Sequence, residues 1–137
     1  MIELVYFSEA DPNLTVEDIS ILLKHSRDYN TKNNITGCLL YLNNEFLQIL
    51  EGKKEAVQHL FTLIKEDKRH SNIIVLAEEN KKEKTFPDWS MAFHKFNNDE
   101  IANKRFLNNI AAFSEITDKP SHVTDLFWTM AKQMATD

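Results

Sequence analysis

The stretch that decides the fold is ITGCLLYLNNEFLQILEG, residues 35–52. Two short apolar runs are joined here by Asn43-Asn44, residue types that tolerate the positive φ angles of a tight hairpin turn. The pattern therefore predicts an antiparallel β-hairpin. Side chains alternate across a strand, so Gln48 shares one face with Phe46 and Leu50. A buried amide without a partner costs about 1–3 kcal/mol, so this glutamine indicates a polar partner, which could be a ligand.

Further strands and helices are expected on both sides of the hairpin, because apolar residues recur there at the spacing of each element. The predicted bounds are Ile2–Ser8 (strand), Thr15–Asn30 (helix, with Thr15 as N-cap), Lys53–Glu66 (helix), Asn72–Ala77 (strand), an exposed charged connection over Glu78–Lys84, and Trp89–Phe93 (strand). This order predicts an α+β fold, a ferredoxin-like βαββαβ(β) sheet with two helices on one face.

Two more helices are predicted near the C-terminus, over Asn98–Phe113 and Ser121–Met134, with an interruption near Asp118-Lys119-Pro120. We expect them to cover the second face of the sheet, and an oligomer contact is the alternative. The domain organisation that follows is an α+β domain over residues 1–96 and a helical extension over residues 97–137, which would serve as cap, oligomerisation element or output.

The composition limits the classes of function. A chain of 137 residues fits one domain, and its formal net charge of −5 without a basic block argues against a nucleic-acid partner. The single cysteine, Cys38, lies in an apolar strand and is interpreted as a core residue, and no spacing suggests a metal site. No apolar stretch reaches about 18 residues and no signal segment is apparent, so we expect a cytoplasmic protein without a membrane partner. Four histidines show no partner pattern and are interpreted as surface residues: His25, His59, His94 and His122.

A phenol and two amides are expected to converge in this fold. Tyr6 on the first strand and Gln48 on the third become neighbours in a ferredoxin-like sheet, and Asn30 closes the helix that packs above them. Three large side chains are expected on one face of the last strand: Trp89, Met91 and Phe93. An aromatic-lined slot with a few hydrogen-bonding groups suits a flat heterocycle. With two glycines in the whole chain, no glycine-rich phosphate loop is possible.

Six segments, in order and in register, carry a resemblance to a known family: YFSEA at 6–10, RDYN at 27–30, NITG at 34–37, FLQILEG at 46–52, DKRH at 67–70 and FPDWSM at 86–91. With these segments the chain resembles the BLUF domains, blue-light sensors that bind flavin, over residues 2 to about 94. Lys84 stands where an arginine is common in that family. Beyond Phe96 the resemblance stops.

The resemblance implies a flavin cofactor, FAD with FMN as the alternative, held between the two helices. Asn30 would bind the pyrimidine end of the ring, Gln48 would connect Tyr6 to the flavin edge, and Leu22 and Ile64 would sandwich the ring. Four more positions match contacts to the ring edge or to the ribityl and phosphate tail: Tyr29, Asp67, Arg69 and His70.

The resemblance also implies photochemistry without substrate turnover, so the chain is not expected to be an enzyme. An electron and then a proton would pass from Tyr6 to the excited flavin and return, leaving the hydrogen bonds of Gln48 rearranged. Trp89 and Met91 would carry the signal outward, and either of the two could be the residue that faces the flavin. No effector domain fits in the rest of the chain, so the signal is expected to pass to an unidentified downstream protein or through a homo-oligomer.

Two other classes of function remain open at this point. One is a ferredoxin-like flavin oxidoreductase that uses the same slot, and the other is a colourless regulatory module that binds a small ligand without photochemistry. The visible absorption of the purified protein separates the colourless module from the other two.

Overall fold

The computed structural model describes residues 1–116 and 122–136. Its elements follow one another as β1 (Ile2–Ala10), α1 (Val16–Asn33), β2 (Thr36–Leu42), β3 (Glu45–Gly52), α2 (Lys54–Glu66), β4 (His70–Asn80), β5 (Ala92–Lys95), α3 (Glu100–Ile116) and α4 (His122–Thr136). The predicted interruption at residues 118–120 lies outside the described residues.

The five strands form one sheet in the order β4-β1-β3-β2-β5. All neighbouring strands are antiparallel except β2 and β5, which are parallel. The predicted α+β, ferredoxin-like architecture is confirmed. As expected, β1 lies beside β3, and in this register Tyr6 lies directly opposite Gln48.

Local sequence signals explain where the first helix begins and where the hairpin turns. Thr15 caps α1 in a capping box: its hydroxyl accepts from the Asp18 N–H, and the Asp18 carboxylate accepts from the Thr15 N–H. Asn43 and Asn44 have φ angles of 49° and 66°, as the hairpin prediction requires. The predicted end of α1 was wrong, because Asn34 in the left-handed conformation is the C-cap and Asn30 lies one turn earlier.

Each face of the sheet has its own core. The core of the first face, which includes Tyr6, lies under α1 and α2, which contribute Leu23 and Phe61 to it. The core of the second face contains Cys38 and is covered by α4 through Phe127, with α3 packed at its side. The predictions that α1 and α2 share one face and that the C-terminal helices cover the other are therefore confirmed.

A buried ionic network joins this second face to the chain after β4. Glu51, 0% exposed, accepts from the Lys81 ammonium at 2.9 Å and from the backbone N–H groups of Thr85 and Phe86 at 2.8 and 2.6 Å. Lys81 also donates to Glu3 at 2.7 Å. A further bond, from the Thr36 hydroxyl to Glu51 at 2.9 Å, completes four donors on one carboxylate.

Three expectations about the later part of the chain were wrong. The last strand begins at Ala92, so Trp89 precedes it and packs on the second face, where it stacks on Phe86 with 5.3 Å between ring centroids. The charged connection is not wholly exposed, because β4 continues to Asn80 and the Lys81 side chain is 7% exposed. His94 is not a free surface residue, since its ring stacks on Phe106 with centroids 4.4 Å apart.

Candidate functional site

A buried chain of hydrogen bonds lies on the first face of the sheet. The Tyr6 hydroxyl donates to Gln48 Oε1, and Gln48 Nε2 donates to Met91 Sδ at 3.1 Å. The register puts Tyr6, Gln48, Leu39 and Phe93 side by side on four neighbouring strands. The polar pair is therefore fixed by strand alternation and enclosed by apolar neighbours, as the sequence predicted for Tyr6 and Gln48.

A cleft of about 540 Å³, partly open to solvent, lies above this row between α1 and α2. Its lining comes from both helices, from the sheet and from the segment after α2: Tyr6, Leu22, Ser26, Asn30, Leu39, Phe46, Gln48, Leu60, Ile64, Asp67, Arg69 and His70. Its apolar walls and few converging polar groups are typical of small-molecule sites.

Asn30 lines this cleft with a hydrogen-bond acceptor that has no protein partner. Its side-chain nitrogen donates to the Ser90 carbonyl at 2.7 Å, which fixes the amide. Its Oδ1 is buried without a hydrogen bond, in a residue that is 1% exposed. Because a buried acceptor left unpaired costs free energy, Asn30 Oδ1 is a ready position for an N–H group of a ligand.

Charged and polar groups form the rim at the end of α2. Arg69 and Asp67 make an ion pair of 2.5 Å. Burial opposes ionisation of Asp67, but the hydrogen bonds from Arg69 outweigh it and lower the pKa of this carboxyl. His70 is engaged at both nitrogens: Nε2 donates to the Ile64 carbonyl at 2.6 Å, and Nδ1 lies 2.9 Å from the Ser8 hydroxyl.

Burial, helped by the nearby negative charge of Asp67, raises the pKa of Tyr6 far above its ordinary value of 10.0. The phenol therefore remains protonated over the whole working range of pH. The phenol keeps its proton and donates it in a hydrogen bond to the Gln48 carbonyl oxygen, so the pair is a stable donor and acceptor and contains no phenolate.

The structure places most of the predicted site residues in this cleft and a few of them elsewhere. Eight predicted residues line the cleft: Tyr6, Leu22, Asn30, Gln48, Ile64, Asp67, Arg69 and His70. Tyr29 is not among its lining residues; its ring packs against the core of the first face. Met91 lies inward at Gln48 and is 2% exposed, whereas Trp89 lies in the other core, so the expected shared face of these two residues was wrong.

Sequence reasoning missed four lining residues: Ser26, Leu39, Phe46 and Leu60. For three of them, all except Leu39, the signal was present in the spacing. Ser26 lies four residues from both Leu22 and Asn30 on one helix, and Leu60 lies four residues before Ile64 on the other, so each follows the helical repeat of a residue that was predicted. Phe46 lies two residues from Gln48 on the same strand face.

In the described ranges no helix combines the length and the apolarity needed to cross a lipid bilayer. No set of three or more His, Cys, Asp and Glu side chains in those ranges is arranged to hold a metal ion. Fold and site thus define a small α+β module with a cleft that suits a flat, hydrogen-bonding heterocycle.

Comparison with known proteins identifies the family. The model of the BLUF family, sensors of blue light using FAD, matches residues 1–92. Among curated proteins, the photoactivated adenylate cyclase subunit beta of Euglena longa is 33% identical over 89 residues. That match covers 64% of this chain and 10% of the cyclase subunit, so the chain spans about a tenth of the length of this relative.

Solved structures agree with the family match over nearly the whole chain. The dark-state structure of the BLUF protein BlrB has a TM-score of 0.72 at 32% identity and covers 96% of both chains. Klebsiella pneumoniae BlrP1 with FMN and cyclic diGMP has a TM-score of 0.76 at 26% identity, covering 99% of this chain and 34% of that one. The chain belongs to the BLUF family, the sensors of blue light that use a flavin.

Proposed function

We propose that this chain senses blue light with FAD bound in the cleft between α1 and α2, and that Tyr6 and Gln48 carry the switch. The observation that supports this most strongly is the hydrogen-bonded chain from Tyr6 through Gln48 to Met91. Its first two members line a cleft where Asn30 offers an unpaired acceptor.

The donor set of the cleft fits a flavin ring. Asn30 Oδ1 would accept from a ring N–H, and Leu22 and Ile64, one from each helix, would pack against the two faces of the ring. Arg69 and His70 at the rim suit the polar tail, since an arginine can pair with phosphate. FAD is preferred here because the family is described by it, and FMN is the alternative because BlrP1 is described with FMN.

When bound, flavin would supply a light-excited oxidant beside the Tyr6 phenol. Tyr6 would give one electron and its hydroxyl proton to that oxidant and later take both back, so the cycle would have no net chemistry. The proton meets Gln48 Oε1 first, because the phenol donates to that oxygen. Gln48 accepts at its oxygen and donates at its nitrogen. It can therefore pass a proton on and afterwards form hydrogen bonds to different partners. A glutamine that turns away from Met91 also releases the Met91 sulfur.

The light signal would leave the cleft through residues 89–91, which connect the core of the first face with the core of the second. Met91 lies on the first face and Trp89, two residues earlier, on the second, where it stacks on Phe86. A shift of one residue therefore displaces the other, which is how a segment with two packings transmits a signal. We assign residues 1–96 to sensing and residues 97–137 to output, toward a downstream protein or a second copy, with no catalytic activity in this chain.

One experiment tests the proposal: visible spectra of the purified protein before and after blue illumination, for the natural protein and a Tyr6→Phe variant. The natural protein should be yellow, and its flavin band should move reversibly to the red. Tyr6→Phe should bind flavin and lose the red shift, because phenylalanine has neither the proton nor the low oxidation potential of a phenol.

Tyr41→Phe is the matched control, since Tyr41 is another buried tyrosine of the same sheet whose hydroxyl instead donates to Asn44 at 2.9 Å. It should keep the red shift. A Tyr6→Phe protein that still shifts would refute the donor role, and a colourless natural protein would favour the regulatory module. Steady turnover with an electron donor would favour an oxidoreductase.

A further inference from the structure

The backbone just before β5 is held at three consecutive carbonyls, none of which belongs to a strand. The Trp89 carbonyl accepts from the Gly37 N–H at 2.9 Å, on β2. The Ser90 carbonyl accepts from Asn30 Nδ2 at 2.7 Å, and the Met91 carbonyl accepts from Arg27 Nε at 2.9 Å. Two side chains of α1, three residues apart and so on one helix face, thus fix the two peptide units that precede the strand.

The Met91 carbonyl relies on Arg27 as its hydrogen-bond donor. Met91 as a whole is 2% exposed, so its carbonyl has little access to water and needs a protein donor. The Met91 side chain cannot fix its own position, because it has three rotatable bonds and its sulfur is a weak acceptor. The position of the main chain therefore decides whether the sulfur stays at Gln48.

Arg27 differs from its neighbour Asn30 in one useful respect. Asn30 lines the cleft, and Arg27 does not. A change at Arg27 therefore affects the segment before β5 without removing a contact to a bound ring. The RDYN segment of the sequence contains both residues, and the proposed function assigns a role to Asn30 alone.

We propose that Arg27 is a positioning residue of the light switch: its hydrogen bond to the Met91 carbonyl holds the Met91 sulfur at the Gln48 amide. The inference rests on the proposed function of Gln48, and it assigns the inward position of Met91 to α1. Loss of this bond loosens residues 86–95 while the cleft stays intact.

Two variants separate the hydrogen bond from the charge. In Arg27→Gln the amide nitrogen is the same number of atoms from the backbone as Nε of arginine, so a donor is kept at that place. In Arg27→Met a methyl group occupies the same place and no donor is left. Both variants remove the positive charge and leave a side chain of the same reach.

The measurement is amide hydrogen exchange of residues 86–95 in the flavin-loaded protein kept in the dark. Arg27→Met should raise the exchange rate about fivefold, as expected when one hydrogen bond of ~1 kcal/mol is lost. Arg27→Gln should exchange like the natural protein. Flavin content should stay unchanged in both. The urea midpoint should stay unchanged in Arg27→Gln and should fall in Arg27→Met by no more than the loss of one hydrogen bond accounts for, whereas a general loss of structure would lower it further.

An equal increase in both variants would assign the effect to charge and overturn the proposal, as would no increase in either. The result does not depend on photochemistry, because exchange is measured in the dark. If the natural protein shows no red shift under blue light, the proposed function fails, while the exchange comparison still decides whether Arg27 holds the segment.

Discussion

The two faces of one sheet are built in opposite ways. The face under α1 and α2 keeps a cleft open and leaves the Asn30 acceptor without a partner. The face under α4 is filled by large rings such as Phe86 and Phe127, and Glu51 there has four donors. Strand alternation creates the difference, since Gln48 and Glu51 lie on the same strand and point to opposite sides.

The comparison shows how stability and function are divided. The filled face supplies apolar burial and a bonded ionic network, so it can hold the sheet rigid. The open face gives up part of that packing so that a ligand can complete it. Mutations on the two faces should therefore have different signatures, in unfolding free energy on one side and in ligand affinity on the other.

The largest effect is expected on the free energy of unfolding, from Lys81→Met, which breaks the ionic network of the filled face. The variant leaves Glu3 and Glu51 buried without their cation, and removing one partner of a buried pair costs about 3–5 kcal/mol. Urea unfolding should show this loss, while the folded protein keeps its light-induced red shift. Lys82→Met, an exposed neighbour, is the control and should change the stability little.

A second substitution sharpens this test. Adding Glu3→Gln to Lys81→Met removes one uncompensated charge and should restore part of the stability. If the single variant unfolds at the same urea concentration as the natural protein, the network does not hold the filled face and the contrast between the faces is wrong.

An intermediate effect is expected from Asn30→Ala on the open face. Without the Asn30 amide the ligand loses its acceptor, and a lost hydrogen bond of about 1–3 kcal/mol weakens flavin binding roughly 5- to 150-fold. Titration of the flavin-free protein with FAD measures this change. Asn33→Ala removes an asparagine of the same helix that does not line the cleft, and it should bind FAD like the natural protein. Equal affinities for the Asn30 and Asn33 variants would exclude Asn30 as a ligand contact.

The smallest effect is expected at the rim, from the pair of Asp67 and Arg69. The pKa of Asp67 is lowered in the folded protein, so the pair contributes stability above the ordinary carboxyl pKa of 3.8 and loses it as pH falls through the lowered value. Both side chains are partly exposed, so the contribution should be about 0.2–1 kcal/mol.

Unfolding of the natural protein and of Arg69→Met at pH 6 and pH 3, without flavin, measures the pair. The difference between the two proteins should be present at pH 6 and smaller at pH 3. A difference that grows toward pH 3 would contradict the assigned direction of the Asp67 shift.

Local signals made most of the fold predictable. The hairpin at Asn43-Asn44, the cap at Thr15 and the alternation around Gln48 depend on neighbouring residues, and the structure has each of them as expected. The pairing of β1 with β3 followed from the order of elements. Within the cleft, the strand residues were found by the same alternation.

Contacts between distant segments were not predictable in this way. Lys81 was interpreted as exposed because its neighbours are charged, and only the folded sheet brings it to Glu3, 78 residues earlier. Trp89 and Met91 were placed on one face because a strand was expected at residues 89–93, but β5 starts at Ala92 and the residues before it bend. The left-handed cap at Asn34 likewise moved the end of α1 beyond Asn30.

The hydrogen bonds of His70 bear on whether Tyr6 would be restored after each proposed light cycle. It lies beside Tyr6, with 6.3 Å between ring centroids, yet both its nitrogens are occupied by Ser8 and Ile64. The imidazole is thereby unavailable as a sink for the phenolic hydrogen, and Gln48 is the one hydrogen-bonding neighbour of that hydroxyl among the described residues. In the proposed light cycle the phenolic hydrogen would therefore leave and return through Gln48, and Tyr6 would be restored after each cycle.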